Sequence, residues 1–143
     1  MEKPNLPSWL RWVNPIVIFL NERGLPVGPM EVLTTTGRRS GKAIRNPISV
    51  LPLDGERYIC TVGDVSWVLN ARANPQVVLA RGRRKYTARL AEVPESDRAR
   101  ILREFPTKIP GGVAFFRRAL GISGTPESLE QAADRCRVFR IEA

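Results

Sequence analysis

The chain has 143 residues, 43% of them apolar, which suffices for one domain with a real core and is too short for a multidomain machine. It contains no histidine, which excludes Ser-His-Asp triads, Cys-His dyads, HExxH metalloproteases and nearly every catalytic zinc arrangement. The formal net charge of +9 points to an anionic partner such as nucleic acid, an acidic membrane face or a phosphorylated and carboxylated small molecule.

Met1 to Ser8 carry one acid, one base and two prolines, not the basic stretch and apolar run of a secretory leader. Trp9 to Leu20 reads as an apolar helix that Asn14-Pro15 either kinks or restarts. Its longest unbroken apolar run, Ile16 to Leu20, falls short of the roughly 20 residues needed to span a bilayer. A cytoplasmic location is expected, with Ser8 to Leu20 greasy enough to touch a membrane surface or to cap a pocket. Spacings of three and four join Trp9, Trp12 or Val13, Ile16 or Val17, and Leu20 into one stripe, expected to pack at a barrel mouth beside a groove. Gly24 to Pro29 is a loop, so residues 1–29 form an N-terminal segment ahead of a single domain over 30–143.

Met30 to Thr36, rich in β-branched residues, is a predicted strand, and Arg45 to Leu53 returns as a second one after a basic turn. Pro47 and Pro52 place that second strand at an edge or a bulge. Asp54-Gly55 is a strong two-residue hairpin signal leading to a strand over Arg57 to Val62. Asp64 or Ser66 is positioned to cap a short helix ending at Ala73, before Asn74-Pro75. Val77 to Arg81 and Arg84 to Val93 make another hairpin about Gly82. Glu95 to Glu104 has the pattern of a surface helix, Lys108 to Gly112 is a loop, Val113 to Leu120 is a short apolar helix, and Thr125-Pro126-Glu127 opens a last helix. Arg137 to Glu142 supplies a final strand. Strands joined by short turns argue for an antiparallel sheet that closes on itself, an α+β fold of about six mainly antiparallel strands with short flanking helices. Cys60 and Cys136 are far apart in sequence and form no CxxC unit, so both read as buried free thiols.

The charge is concentrated. Val32 to Leu53 holds Arg38, Arg39, Lys42 and Arg45 without an acid, and Val65 to Ala91 holds Arg72, Arg81, Arg83, Arg84, Lys85 and Arg89, again without one. Both segments belong to one small barrel and are expected to meet in space. In the first, Gly37 and Gly41 let the backbone turn so that amides aim at one oxyanion while the arginines neutralise it. This is no Walker A loop, because Gly37 and Gly41-Lys42 are too close and a strand follows. A solvated basic tip is the competing reading of the same residues.

The ordered set TTTGRRSGKAIRNP, GERYICTVG, WVLNARANP and VVLARGRRKYTARLAEV, spanning Val32 to Val93, resembles the deazaflavin-dependent nitroreductase family of the flavin and deazaflavin oxidoreductase superfamily. That resemblance implies a split β-barrel binding an 8-hydroxy-5-deazaflavin coenzyme of the F-420 type, its ring across a groove and its anionic tail on basic residues. Carried over by position, Arg38, Arg39 and Arg45 would contact the tail and phosphate, and Ser40 and Gly41 would donate through hydroxyl or amide. Pro47 and Ile48 would flank the ring, and Thr61, Val62, Gly63 and Asp64 would form the loop near its reactive face. Trp67, Asn70 and Ala73 to Pro75 match the short helix behind that loop, with Trp67 also readable as plain core.

The function so implied is an oxidoreductase that delivers hydride from reduced deazaflavin to an electron-poor acceptor such as a quinone, an activated alkene or a nitroaromatic. The coenzyme carries the difficult chemistry, which suits a chain without histidine. Tyr58, Ser66 and Tyr86 are the hydroxyls nominated as proton donors. Alternatives are FMN or FAD as the cofactor, or a non-catalytic barrel holding a flavin-type or fatty-acid ligand. Nucleic-acid binding is disfavoured, since among the aromatics only Tyr86 lies in a basic cluster. Metal binding is not expected, and the oligomeric state is open.

Overall fold

The computed structural model describes residues 10–25 and 28–143, with side chains from residue 14 onward in the first helix. Trp9 and the side chains of Trp12 and Val13, part of the expected apolar stripe, lie outside the described residues. Six strands, β1 (Met30–Thr36), β2 (Ala43–Leu53), β3 (Glu56–Val62), β4 (Gln76–Arg81), β5 (Arg84–Glu92) and β6 (Cys136–Glu142), are joined by five helices: α1 (Leu10–Glu22), α2 (Ser66–Ala73), α3 (Glu95–Lys108), α4 (Val113–Leu120) and α5 (Pro126–Gln131). The strands close into a barrel in the order β1-β2-β3-β6-β5-β4. Every neighbouring pair is antiparallel, so the closed antiparallel sheet expected from the turn pattern, and the α+β split barrel that the family resemblance implies, are the observed fold.

Local chemistry explains most of the elements. Asp54 and Gly55 both take positive φ, 53° and 78°, as a tight β2–β3 hairpin turn requires. Thr125 caps α5 by accepting from the Ser128 N–H at 3.2 Å. The α2 cap differs from expectation: Val65 occupies the N-cap position without a side-chain bond, and neither Asp64 nor Ser66 caps the helix. Helix α1 runs without interruption through Pro15 to Glu22, although an interior proline forfeits one backbone hydrogen bond. Helix α3 likewise passes Pro106 to reach Lys108, and Pro110–Gly112 forms a single 3-10 turn where a loop was expected.

Strand alternation divides the core into two layers. Leu33, Ile48, Val50, Ile59, Val77 and Leu79, with Trp67 and Val68 of α2, fill the barrel. On the opposite faces, Leu51, Tyr58, Val62 and Val138 pack under α3, α4 and α5 against Ile101, Leu102, Phe105 and Phe116. Trp67, its ring 5.5 Å from that of Phe139, holds α2 to the barrel as a core residue. Helix α1 packs on β1 and β2. Its Asn21 side chain donates to the Ala80 carbonyl at 3.1 Å and accepts from the Gly82 N–H at 2.8 Å, pinning α1 to the β4–β5 turn. Val17 of the expected stripe is buried and Leu20 half-buried, whereas Ile16 and Phe19 are exposed, so within the described residues the stripe packs through Val17 and Leu20. Among the described residues no helix is long and apolar enough to cross a membrane.

The two prolines of β2 are explained by a change of partner. Ala43 through Ser49 pair only with β1, and Val50 through Leu53 pair with β3. Each half of the strand therefore has one open side, and both prolines sit where no ladder bond is lost.

Candidate functional site

Where β2 leaves β3, a cleft of about 630 Å³ opens. Asn46, Pro47, Ile48 and Ser49 form one lip and Cys60 and Thr61 the other, while Val65, Ser66 and Trp67 of the α2 start close one end. Phe105, Lys108 and Ile109 from the end of α3, the Pro110–Gly112 turn, and Phe115 and Phe116 of α4 make an apolar wall, and Asn14, Gly28, Pro29 and Met30 complete the rim. Phe116 meets Phe105 edge-on at 4.8 Å and Phe115 at 5.4 Å. A Cβ on Gly112 would stand 2.9 Å from the Phe105 ring, so the turn approaches this aromatic group because its residue is glycine.

The basic tip lies beside this cleft, joined to it by α2. Arg38 donates to Asn70 Oδ1 from its Nη1 at 2.8 Å and from its backbone at 3.2 Å, and its Nη1 is 3.5 Å from Ser66 Oγ. Asn70 in turn donates to Thr35 at 3.4 Å, so the tip is latched to the helix that caps the barrel. Inside the turn the Gly41 N–H donates to the Gly37 carbonyl at 2.9 Å. Ser40 Oγ accepts from the Lys42 N–H at 3.2 Å, and a Cβ at Gly37 would meet that Oγ at 2.7 Å. Arg39, Ser40, Gly41 and Lys42 are exposed. Arg45, also exposed, forms an ion pair with Glu22 of α1.

Of the four loop residues, Thr61 lines the cleft, whereas Val62 is buried under the helices. Gly63 takes φ 54° and donates to the Arg135 carbonyl at 2.9 Å. Asp64 Oδ1 binds Arg72 at 2.9 Å and Arg137 at 3.0 Å, its side chain only 5% exposed. Arg72 also forms a fork with Glu92, both contacts 2.8 Å. That hydrogen bond holds the Glu92 carboxyl below its ordinary range, against the opposing effect of burial.

The three nominated proton donors are not brought together. Ser66 lines the cleft. Tyr58 is packed beneath the helices, and Tyr86 donates to Glu31 at 2.8 Å while accepting from Arg57 at 2.7 Å, with burial pushing its hydroxyl up. Neither tyrosine lines the cleft. The thiols also differ from a common reading: Cys136 is buried and free, whereas Cys60 is half-buried at the cleft lip. Burial pushes the Cys136 thiol up to about 12 and raises that of Cys60 as well.

The two basic segments converge only in part: Arg89, opposite Gln76, lies at the end of β1 that leads into the tip, whereas the β4–β5 turn does not, against the expectation from sequence. Strand β4 runs antiparallel to β1 with Val32 opposite Ala80, so the β4–β5 turn with Arg83 and Arg84 lies at the Met30 end of β1. The basic tip follows Thr36, at the other end. Arg81 and Arg72 are structural, the former donating to the carbonyls of Gly28 at 2.6 Å and Met30 at 3.2 Å. Sequence reasoning also missed the cleft's apolar wall, because Phe105, Ile109 and Phe116 have the periodicity of ordinary core. Lys108 gave no signal beyond being a charge at a helix end. Among the described residues no cluster of potential metal ligands is present.

Residues 21–118 match the family model described as F420H(2)-dependent quinone reductase. No curated protein matches the chain. Among solved structures, one described as a domain-swapped dimer is 22% identical with a TM-score of 0.59, the match covering 94% of this chain and 100% of that one. A second, described as F420-H2 Dependent Reductase (FDR-A), is 23% identical with a TM-score of 0.54 over 80% of this chain and 95% of that one. A nimc/nima family protein from Clostridium acetobutylicum is 16% identical, with a TM-score of 0.56 over 90% and 80% of the two chains. At these identities the structural likeness establishes the fold.

Proposed function

Since the chain belongs to the F420H(2)-dependent quinone reductase family, a family of deazaflavin-dependent oxidoreductases, we propose that its β2–β3 cleft holds the coenzyme ring and presents it to an electron-poor acceptor, a quinone, an activated alkene or a nitroaromatic. The observation that supports this reading is the adjacency of an apolar slot of about 630 Å³ to the latched basic tip. Pockets of this size, mostly apolar with few polar groups, suit a flat ligand of drug-like dimensions, and the exposed tip suits an anionic tail.

In this reading Pro47, Ile48 and Thr61 flank the ring, and the backbone of Val62 and Gly63 supports that edge. Arg39, with Ser40 and the Gly41 amide, takes the tail oxygens, while Arg38 stays engaged with Asn70. Arg45 joins them by sharing or releasing Glu22. Asp64 contributes by holding the loop through Arg72 and Arg137. When bound, reduced deazaflavin supplies the hydride. The phenylalanine wall excludes water and stacks on a planar acceptor. Ser66 and Lys108, with Ser49 and Thr61, are the cleft-lining residues whose side chains can give the acceptor oxygen its proton.

The test is to titrate the purified protein with reduced and oxidised deazaflavin coenzyme, FMN, FAD and a fatty acid, and then to follow oxidation of the bound reduced coenzyme by a soluble quinone. Deazaflavin should bind most tightly and be oxidised with saturable dependence on quinone. Tighter binding of FMN or FAD would reassign the cofactor. Fatty-acid binding without turnover would make the apolar slot a ligand store.

A further inference from the structure

The β2–β3 ladder ends at Val50, three residues from a residue with no backbone donor. Val50 N–H donates to the Pro29 carbonyl at 3.1 Å and Gly37 N–H to the Lys42 carbonyl at 2.8 Å. In an antiparallel ladder, bonded positions alternate, so Ile44, Asn46, Ile48 and Val50 direct their backbone groups at β1. Arg45, Pro47 and Ser49 direct theirs away from β1, toward β3. On β3, the Gly63 N–H donates to the Arg135 carbonyl at 2.9 Å, so Ile59 and Thr61 face β6, and Cys60 and Val62 face β2. The registered pairing of β2 with β3 stops at Val50 opposite Ile59. Continued by three residues, it would set Pro47 against the Val62 carbonyl, and Pro47 has no N–H to offer.

We propose that Pro47 is a positioning residue that keeps the barrel split: the ladder already ends before Ser49 opposite Cys60, and Pro47, lacking a donor at the next position where β2 would bond to β3, keeps it from closing again and leaves the cleft open to a planar ring. This rests on the cleft being the coenzyme site, and it adds a role through the backbone, separate from any contact of the pyrrolidine ring with the ligand. Pro52 provides an internal control. It lies within the paired half, opposite Arg57, but by the same alternation its nitrogen points away from β3, so a donor there finds no partner on that strand.

The experiment compares Pro47→Val and Pro52→Val in the full chain by amide hydrogen exchange, thermal unfolding and deazaflavin titration. In Pro47→Val the amide introduced at position 47 and that of Ser49 should become protected by about tenfold, the scale of one net hydrogen bond. Coenzyme affinity should fall by a similar or larger factor while the unfolding temperature does not drop. Pro52→Val should alter neither exchange at Ser49 nor affinity. Fast exchange at position 47 overturns the proposal even where affinity is lost, since a lost contact would then explain the result. Protection with unchanged affinity overturns it too. Should Pro47→Val not fold, Pro47→Ala supplies the same donor with less bulk and is read in the same way. Absence of deazaflavin binding by the unsubstituted protein would defeat the coenzyme reading, and the exchange result would still decide whether Pro47 keeps the barrel split.

Discussion

Asp64→Asn separates a structural carboxylate from a coenzyme contact. The side chain is 5% exposed, and its Oδ1 meets Arg72 at 2.9 Å and Arg137 at 3.0 Å. Asparagine keeps the shape and an acceptor but removes the charge that both guanidinium groups face. Removing one partner of a buried ion pair costs about 3–5 kcal/mol. Here Arg72 is 35% and Arg137 20% exposed, and Arg72 retains Glu92, so water and the second acid recover part of the loss. The expected destabilisation is about 2–3 kcal/mol, read as a shift of the urea midpoint at constant slope, or as a drop in unfolding temperature of roughly 6–10 °C for a chain of this size. Because Val65 and Ser66 follow directly and line the cleft, coenzyme affinity should fall in parallel. A loss below about 1 kcal/mol would refute the buried-anchor argument. Tighter coenzyme binding with unchanged stability would show instead that Asp64 faces the anionic ligand.

Arg45→Ala should weaken coenzyme binding by about 1.5–3 kcal/mol, the range for hydrogen bonds to charged groups, with little change in unfolding temperature because the side chain is exposed. Unchanged affinity in a titration would remove Arg45 from the site. Glu22→Gln, which frees Arg45 from its ion pair, should move affinity the other way. The Glu92 carboxyl is held low by its hydrogen bond to Arg72, so the native state binds fewer protons than the unfolded chain. Its contribution is therefore present above the unfolded value of about 4.3 and lost as pH falls through the lower native one. Urea midpoints measured between neutral pH and pH 3 should show that loss, and Glu92→Gln should flatten the profile. An unaltered profile would place the acid sensitivity elsewhere.

The turn residues made the barrel legible in the sequence. Asp54-Gly55, Gly82 and the β-branched run before Gly37 each specify a local geometry that the folded chain keeps, and local chemistry of this kind does not depend on distant neighbours. The latch between Arg38 and Asn70 was only half legible: both residues stood out within quoted motifs, but nothing in a separation of 32 residues says that they bond. Asp64 was misread as a cap because capping is a local signal, whereas its actual partners include Arg137, which is 73 residues away. The cleft itself was hidden for a related reason. Its wall consists of phenylalanines and an isoleucine whose spacing on α3 and α4 is that of any core-facing helix, and only the missing stretch of ladder between β2 and β3 turns that surface into a site.

The same dependence on topology decides which positive charges serve an anion held at the basic tip. Strand β1 separates the basic tip after Thr36 from the β4–β5 turn near Met30, and seven residues of strand extend about 20 Å at roughly 3.4 Å per residue. At physiological ionic strength the screening length is about 8 Å, so Arg84 and Lys85 are more than two screening lengths from the tip and contribute almost nothing to an anion held there. The double substitution Arg84→Ala with Lys85→Ala should therefore leave coenzyme affinity within about twofold of the parent at 0.15 M salt, whereas Arg39→Ala should weaken it at least about tenfold. Lowering the salt to 0.01 M stretches the screening length to about 30 Å, and only then should the double substitution begin to matter. Equal losses from both variants at 0.15 M salt would mean that the anion reaches along the barrel to the second cluster, and that the net charge acts as one field rather than as two separate ends.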